Sequence, residues 1–179
     1  VSFGQNALLS LGLLTGVFVL WRGERPFGAG LLASLVLYKP QLLLGVGVLW
    51  LLDLRHSWRA LLGVGVGGLA LALLSFGLLP EASQAYATFA TGVLPNLTEW
   101  QQFPIWHLHT VRGFWRLLLP DLPLVADGLT FLLAALGLWS FGHLWRRYQG
   151  DPSLLFATAV CLTLWLTPHA MIYDWALLL

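Results

Sequence analysis

Tyr38-Lys39-Pro40-Gln41 sets the only lysine of the chain between two apolar runs, Phe27–Leu37 and Leu42–Leu52. An ammonium in hydrocarbon costs at least about 2.5–3.5 kcal/mol. Pro40 has no backbone donor, and it drives Lys39 away from helical dihedrals. The sequence therefore couples a broken helix to a charge at the break. In a bilayer such a break is tolerated where it is packed in protein or lines a wet cavity. Lys39 is either an anion-binding group at a polar site or a lysine snorkelling from a helix end.

Other side chains could act beside it. Gln5 and Asn6 are adjacent amides ahead of the apolar run Ala7–Trp21. Asn6 can cap the helix that begins at Ala7, and the pair can equally hydrogen-bond a hydroxyl-rich ligand. Arg112 and Arg116 lie one helical turn apart and could grip a lipid phosphate or simply meet headgroups. His169 follows Pro168, and Asp174 follows Tyr173. Asp174 at the start of a helix suits the helix dipole, which leaves His169 and Tyr173 unexplained. His107 and His109 have no neighbouring set of carboxylates and histidines to complete a metal site. Gly63-Val-Gly65-Val-Gly67-Gly68 matches a dinucleotide pattern in form only, because that pattern needs a strand before it and a soluble βαβ unit around it. Gly63 and Gly67 read instead as a close helix-packing face. Asn96-Leu-Thr98 is a weak glycosylation match.

Composition limits the setting for this chemistry. The chain is 58% hydrophobic and 9% charged, against about 25% charged in soluble domains. With its long apolar runs, that makes it an integral membrane protein. A net charge of +1 with no basic stripe argues against nucleic acid. The single cysteine, Cys161, lies in an apolar run, which excludes a disulfide framework and a cysteine metal cluster. No cofactor and no metal are expected. The chain opens on Val1 and stops within the apolar run Trp175–Leu179, so it reads as an internal piece of a longer protein, with no signal peptide of its own.

The elements that must position these groups are helices. Apolar runs at Ala7–Trp21, Ala60–Leu79, Leu124–Trp145 and Ser153–Thr167 alternate with short basic turns at Arg22–Arg25, Asp53–Arg59 and Arg146-Arg147. By the positive-inside rule these turns are cytoplasmic. The arms flanking Lys39, of about 11–12 residues, span roughly 17 Å as helix, short of the ~30 Å of a full crossing. They form a re-entrant hairpin or two short tilted helices, with Lys39 deep in the outer half. Residues 80–123 form an extracytoplasmic, aromatic-rich loop with an interfacial helix over Leu108–Leu119. That helix carries Val111, Phe114, Trp115 and Leu118 on one face and the two arginines on the other. Asp127 stands near the outer mouth of the next span. The expected fold is all-α: a polytopic transmembrane bundle forming part of a single domain over residues 1–179.

This arrangement gathers Gln5, Asn6, Lys39, Arg112, His169 and Asp174 on the outer half. A cation, a histidine and amides suit a phosphate-linked, hydroxyl-rich substrate. Gly4-Gln5 with Leu8-Leu9, Ala29-Gly30 leading into Tyr38-Lys39-Pro40, and Pro168-His169 followed by Tyr173-Asp174 resemble glycosyltransferase family 87. Gln102-Phe103-Pro104, Arg112-Gly113 and Leu117-Leu118-Leu119-Pro120 resemble its outer loop. The likeness covers nearly the whole chain and rests on the order and spacing of short motifs.

The resemblance implies a GT-C fold in the plasma membrane, multi-pass, with its active face extracytoplasmic. It implies inverting transfer of a hexose, mannose first, from a polyprenyl-phosphate donor to a glycolipid or glycan acceptor, with no nucleotide sugar. It puts Lys39 and His169 near the donor phosphate, Gln5 and Asn6 in the sugar or acceptor pocket, and Arg112 as a weaker phosphate group. Asp174 joins the substrate-binding set. The general base implied is an aspartate before Val1, a role given to neither Asp127 nor Asp174. The rival reading is a secondary transporter, which also uses broken helices with a midplane charge. Against it stand the lack of an internal repeat and the one-sided placement of the polar groups. A structural membrane subunit would leave Lys39 and His169 without a role.

Overall fold

The computed structural model describes residues 6–93 and 108–168, together with Ala170, Asp174 and Leu177. Every regular element among them is helical. In order these are α1 (Ala7–Arg22), α2 (Pro26–Ser34), α3 (Leu44–Leu52), α4 (Leu54–Leu78), α5 (Pro80–Thr88), α6 (Val111–Leu118), α7 (Pro123–Arg147) and α8 (Pro152–Leu166). Two 3₁₀ turns, Leu35–Tyr38 and Pro40–Leu43, join α2 to α3, and a π turn, Phe89–Val93, extends α5. Proline opens α2, α5, α7 and α8, where its missing N–H has no intrahelical partner to lose.

Side-chain neighbours fix the directions. Ser10 meets Tyr38, and Leu20 meets Gly28, so α1 and α2 are antiparallel. Gly30 lies on Ala60 and Val64, and Ser34 on Gly67, so α2 and α4 are parallel. Gly45 lies on Ala159 and Thr163 while Gln41 meets Thr167, so α3 and α8 are antiparallel. Trp165 bonds the Leu133 carbonyl while Leu162, earlier in α8, packs on Gly137, later in α7, so α7 and α8 are antiparallel. The core lies where α1, α2, α3 and α8 converge, around Val17, Val36, Val46, Leu49, Trp50 and Ala159.

The parallel α2–α4 crossing depends on glycine. A Cβ at Gly30 would strike the Ala60 carbonyl, and one at Gly63 the Phe27 carbonyl. Gly63 and Gly67 thus form the close packing face their spacing predicts.

Three boundaries differ from those read in the sequence. Asp53–Arg59 is no loop: α4 starts at Leu54, one residue beyond α3, because Asp53 both ends α3 and accepts the first backbone bonds of α4 from His56 and Ser57. The 80–123 stretch carries α5 as well as the helix expected over Leu108–Leu119. That second helix begins at Val111 rather than Leu108, because Thr110 is extended and its hydroxyl accepts the Gly113 N–H. Asn96 to Thr98 and His107 lie outside the described residues.

Two helices, α4 and α7, are long and apolar enough to cross a membrane, and both keep most of their surface out of the protein core. The arms Pro26–Tyr38 and Pro40–Leu52 are shorter. Both reach back to one end of the molecule, where Pro26 and Asp53 line the same cavity. The pair is a hairpin with Lys39 at its tip.

Candidate functional site

The break makes the site. Lys39 adopts φ −136° and ψ 72°, the non-helical backbone that a following proline imposes. Its N–H still bonds the Val36 carbonyl, and its own carbonyl accepts from Leu42. Two hydroxyls of α8 also reach the break. Thr163 Oγ1 accepts the Gly45 N–H at 2.9 Å, and Thr167 Oγ1, which donates to the Thr163 carbonyl at 2.6 Å, lies 3.4 Å from the Gln41 carbonyl. The two threonines are one turn apart, and both are buried.

At the tip, Lys39 Nζ donates to Asp174 Oδ1 at 2.8 Å. Lys39 is 21% exposed and Asp174 only 4%. A buried carboxylate is held by a charged group, and Lys39 supplies one beyond the helix dipole expected from sequence. The stretch carrying Asp174 is tied down on its other side too. The Ala170 carbonyl accepts from His109 N at 2.8 Å, and the Pro168 carbonyl from Thr110 Oγ1 at 3.4 Å. Three segments thus meet at one end: the hairpin tip, the lead into α6 and the residues after α8.

The start of α1 joins them. Tyr38 Oη and Ser10 Oγ are 2.6 Å apart, and both reach the Asn6 carbonyl. Asn6 occupies the capping position of α1, but its side chain makes no capping bond. Its φ of −89° and ψ of 18° depart from the extended backbone a capping side chain uses. Asn6 is brought close to the Lys39 tip through its backbone.

Arg112 sits at the same end and shares a cavity of about 360 Å³ with Thr167 and Pro168. Its Nε donates to Asp127 Oδ1 at 3.3 Å, and Arg116 grips the same carboxylate through two bonds, at 3.2 and 2.6 Å. Neither arginine is therefore an uncompensated phosphate grip: Asp127, one helix away on α7, takes both. Gln5, His169 and Tyr173 lie outside the described residues. The structure thus unites Lys39 with Asp174, sets Arg112 and Asn6 nearby, and adds Tyr38, Ser10, Thr163 and Thr167. Ser10, Thr163 and Thr167 stand inside apolar runs, and nothing local in the sequence joins the two threonines to the break at Lys39.

The opposite end contrasts with this one. It gathers Arg22, Arg25, Arg55, Arg59, Arg146 and Arg147, as Trp21, Asp53, Trp145 and Pro152 line one cavity there. The three cations at the Lys39 end are each ion-paired, whereas among the described residues none of these six is.

A fixed ammonium against a buried carboxylate, with the Tyr38 and Ser10 hydroxyls at the same end of the molecule, can orient a phosphate and hydrogen-bond a polyol. No curated protein and no solved structure matches the chain. The sequence profile described as glycosyltransferase family 87 matches residues 1–168. That span runs from before α1 through the Lys39 break and the Arg112–Asp127 pair to Pro168, which places the chain in glycosyltransferase family 87.

Proposed function

We propose that this glycosyltransferase moves a hexose, mannose first, from a polyprenyl-phosphate donor to a lipid or glycan acceptor at the extracytoplasmic face of the plasma membrane. The observation that carries the reading is the Lys39–Asp174 pair at the tip of a broken helix, at the end opposite six arginines that form no ion pair among the described residues. The positive-inside rule puts those arginines in the cytoplasm, and hence the hairpin tip on the outer side. The leucine-covered flanks of α4 and α7, with Leu62, Leu69, Leu73, Phe131 and Leu132 exposed, suit lipid rather than water. They support a multi-pass, GT-C-like bundle with Lys39-Pro40 re-entrant in it.

In the proposed reaction an acceptor hydroxyl attacks the anomeric carbon as the bond to polyprenyl phosphate breaks, with inversion. The hydroxyl proton goes to a carboxylate, expected from the family resemblance to lie upstream of Val1. Charge grows on the departing phosphate, and Lys39 is set to stabilise it, with Asp174 fixing the direction of its ammonium. His169 is assigned the same phosphate. Gln5 and Asn6 are assigned the sugar or acceptor side, and Arg112 a supporting place.

The test uses the full-length protein in proteoliposomes with polyprenyl-phosphate-mannose and a panel of glycolipid acceptors. Release of polyprenyl phosphate with a mannosylated product is expected, lost in Lys39→Ala. No product from any lipid-linked sugar, by folded protein, overturns the donor assignment. Nothing in the fold or the family match favours the transporter alternative.

A further inference from the structure

We propose that the arginine-rich end holds a site for the phosphate headgroup of an anionic phospholipid, separate from the Lys39 site. Two cavities of about 560 and 770 Å³ open there and share Trp21, Glu24, Asp53, Arg55, His56 and Pro152. Both fall in the ~300–1,000 Å³ range of small-molecule sites.

The basin is built for an anion. Arg22, Arg55 and Arg59 line it against two carboxylates, Glu24 and Asp53. Asp53 is taken by His56, 2.7 Å away, and it gives α4 no side-chain cap although it occupies the capping position. The positive end of α4, a 25-residue helix that no side chain caps by hydrogen bond, adds to the guanidinium field. Two of the guanidiniums are seated on rings, Arg22 over Phe18 at 6.0 Å and Arg59 over Trp58 at 5.4 Å. Stacking of this kind fixes the group yet leaves its edge N–H donors for a phosphate.

A lipid is the occupant that the surroundings fit. Trp21 and Trp58 line the basin, and indoles favour headgroup level. Exposed leucines continue from it along α3 and α4, at Leu51, Leu54 and Leu62, where acyl chains would lie. This inference rests on the membrane placement proposed above.

The experiment reconstitutes the full-length protein in bilayers of phosphatidylcholine doped with phosphatidylglycerol, and native mass spectrometry counts the lipid retained. Wild type is expected to favour phosphatidylglycerol, and R55Q/R59Q to lose about tenfold of that preference. R146Q/R147Q removes the same charge at the same end but outside the basin, and is expected to change it less than twofold. Equal loss in the two double variants would mean diffuse attraction and would overturn the site, as would equal retention of both lipids by wild type. Binding of inorganic phosphate that R55Q/R59Q abolishes, without any lipid preference, would overturn the lipid as occupant. Extraction of wild type by alkaline carbonate would instead sink the membrane placement itself. Unfolding temperatures of both variants separate these results from misfolding.

Discussion

Lys39 and Asp174 are 135 positions apart in the chain, and their charged atoms are 2.8 Å apart in space. Both ends of this contact are prepared by irregular backbone: a proline break on one side, and on the other a stretch tied to His109 and Thr110. The pair therefore closes the hairpin tip against the segment that follows α8.

Removing the cation should separate chemistry from folding. Lys39→Ala removes the ammonium bonded to the buried Asp174 carboxylate, a change that costs about 3–5 kcal/mol for fully buried pairs. Lys39 is 21% exposed, so the expected loss is smaller, about 1–3 kcal/mol. Sugar transfer should fall far more, at least about 100-fold, as when one donor to a developing anion is removed. Lys39→Ala combined with Asp174→Ala should regain part of the stability and none of the activity, measured by thermal unfolding and product formation. Unchanged turnover in Lys39→Ala would remove the lysine from the reaction.

The glycine crossing of α2 and α4 makes a sharp contrast. A side chain at Gly30 would come within 2.7 Å of the Ala60 carbonyl carbon and 2.9 Å of Val64 N. Neither backbone can retreat without separating the helices. Gly30→Val should therefore destabilise by several kcal/mol, at or beyond the ~1–3 kcal/mol of ordinary overpacking. Gly65, two residues from Gly63 on the same helix, has nothing within 4 Å of its Cβ position. Gly65→Ala should be neutral, or stabilising by up to about 1 kcal/mol through helix propensity. Unfolding midpoints in detergent distinguish the two.

The turn after α1 carries a removable strain. Glu24 has φ 56°, the only positive value at a non-glycine among the described residues. It lies where Arg25 N bonds the Leu20 carbonyl and Glu24 N bonds that of Trp21, a helix-ending pattern whose left-handed position favours glycine. The sequence sets its glycine one place earlier, at Gly23. Glu24→Gly should raise stability by about 1 kcal/mol, since left-handed backbone costs an L-residue roughly 1–2 kcal/mol. A lower unfolding midpoint would show that the Glu24 side chain contributes more than its backbone costs.

Local rules made part of this architecture legible. Pro40 marked the break, and the arginine turns marked the end where α1, α3 and α7 finish. Gly63 and Gly67 marked the α2–α4 contact. Pairing between distant segments was not legible. Asp127 could be seen near the mouth of α7, but nothing local showed that it would take both Arg112 and Arg116. Asp174 had a sufficient local reason in the helix dipole, and that reason hid its partner. The start of α4 was missed because Arg55, His56 and Arg59 look like a loop by polarity, whereas Asp53 lets the chain turn in a single residue. Asn6 held the capping position, but the backbone dihedrals that decide capping are not written in residue type.

The break itself depends on a hydroxyl from another helix. Gly45 is the second residue of α3, so its N–H has no acceptor within its own helix, and Thr163 Oγ1 supplies one at 2.9 Å. The same hydroxyl donates to the Ala159 carbonyl at 3.0 Å, which fixes its lone pairs toward Gly45. Thr163→Val keeps the shape and strands the buried N–H, at a cost of about 1–3 kcal/mol. Thr163→Ser keeps the oxygen and should lose less than about 1 kcal/mol. Thr158 is the control on the same helix: among the described residues its hydroxyl bonds only the Leu154 and Leu155 carbonyls of α8 itself, so Thr158→Val should be nearly silent. Because the break aims Lys39 at Asp174, Thr163→Val should also lower sugar transfer by more than its loss of folded protein accounts for. Thermal unfolding and turnover per folded molecule measure the two effects separately, and a stability loss with normal turnover would mean that the hairpin tip holds its geometry without α8.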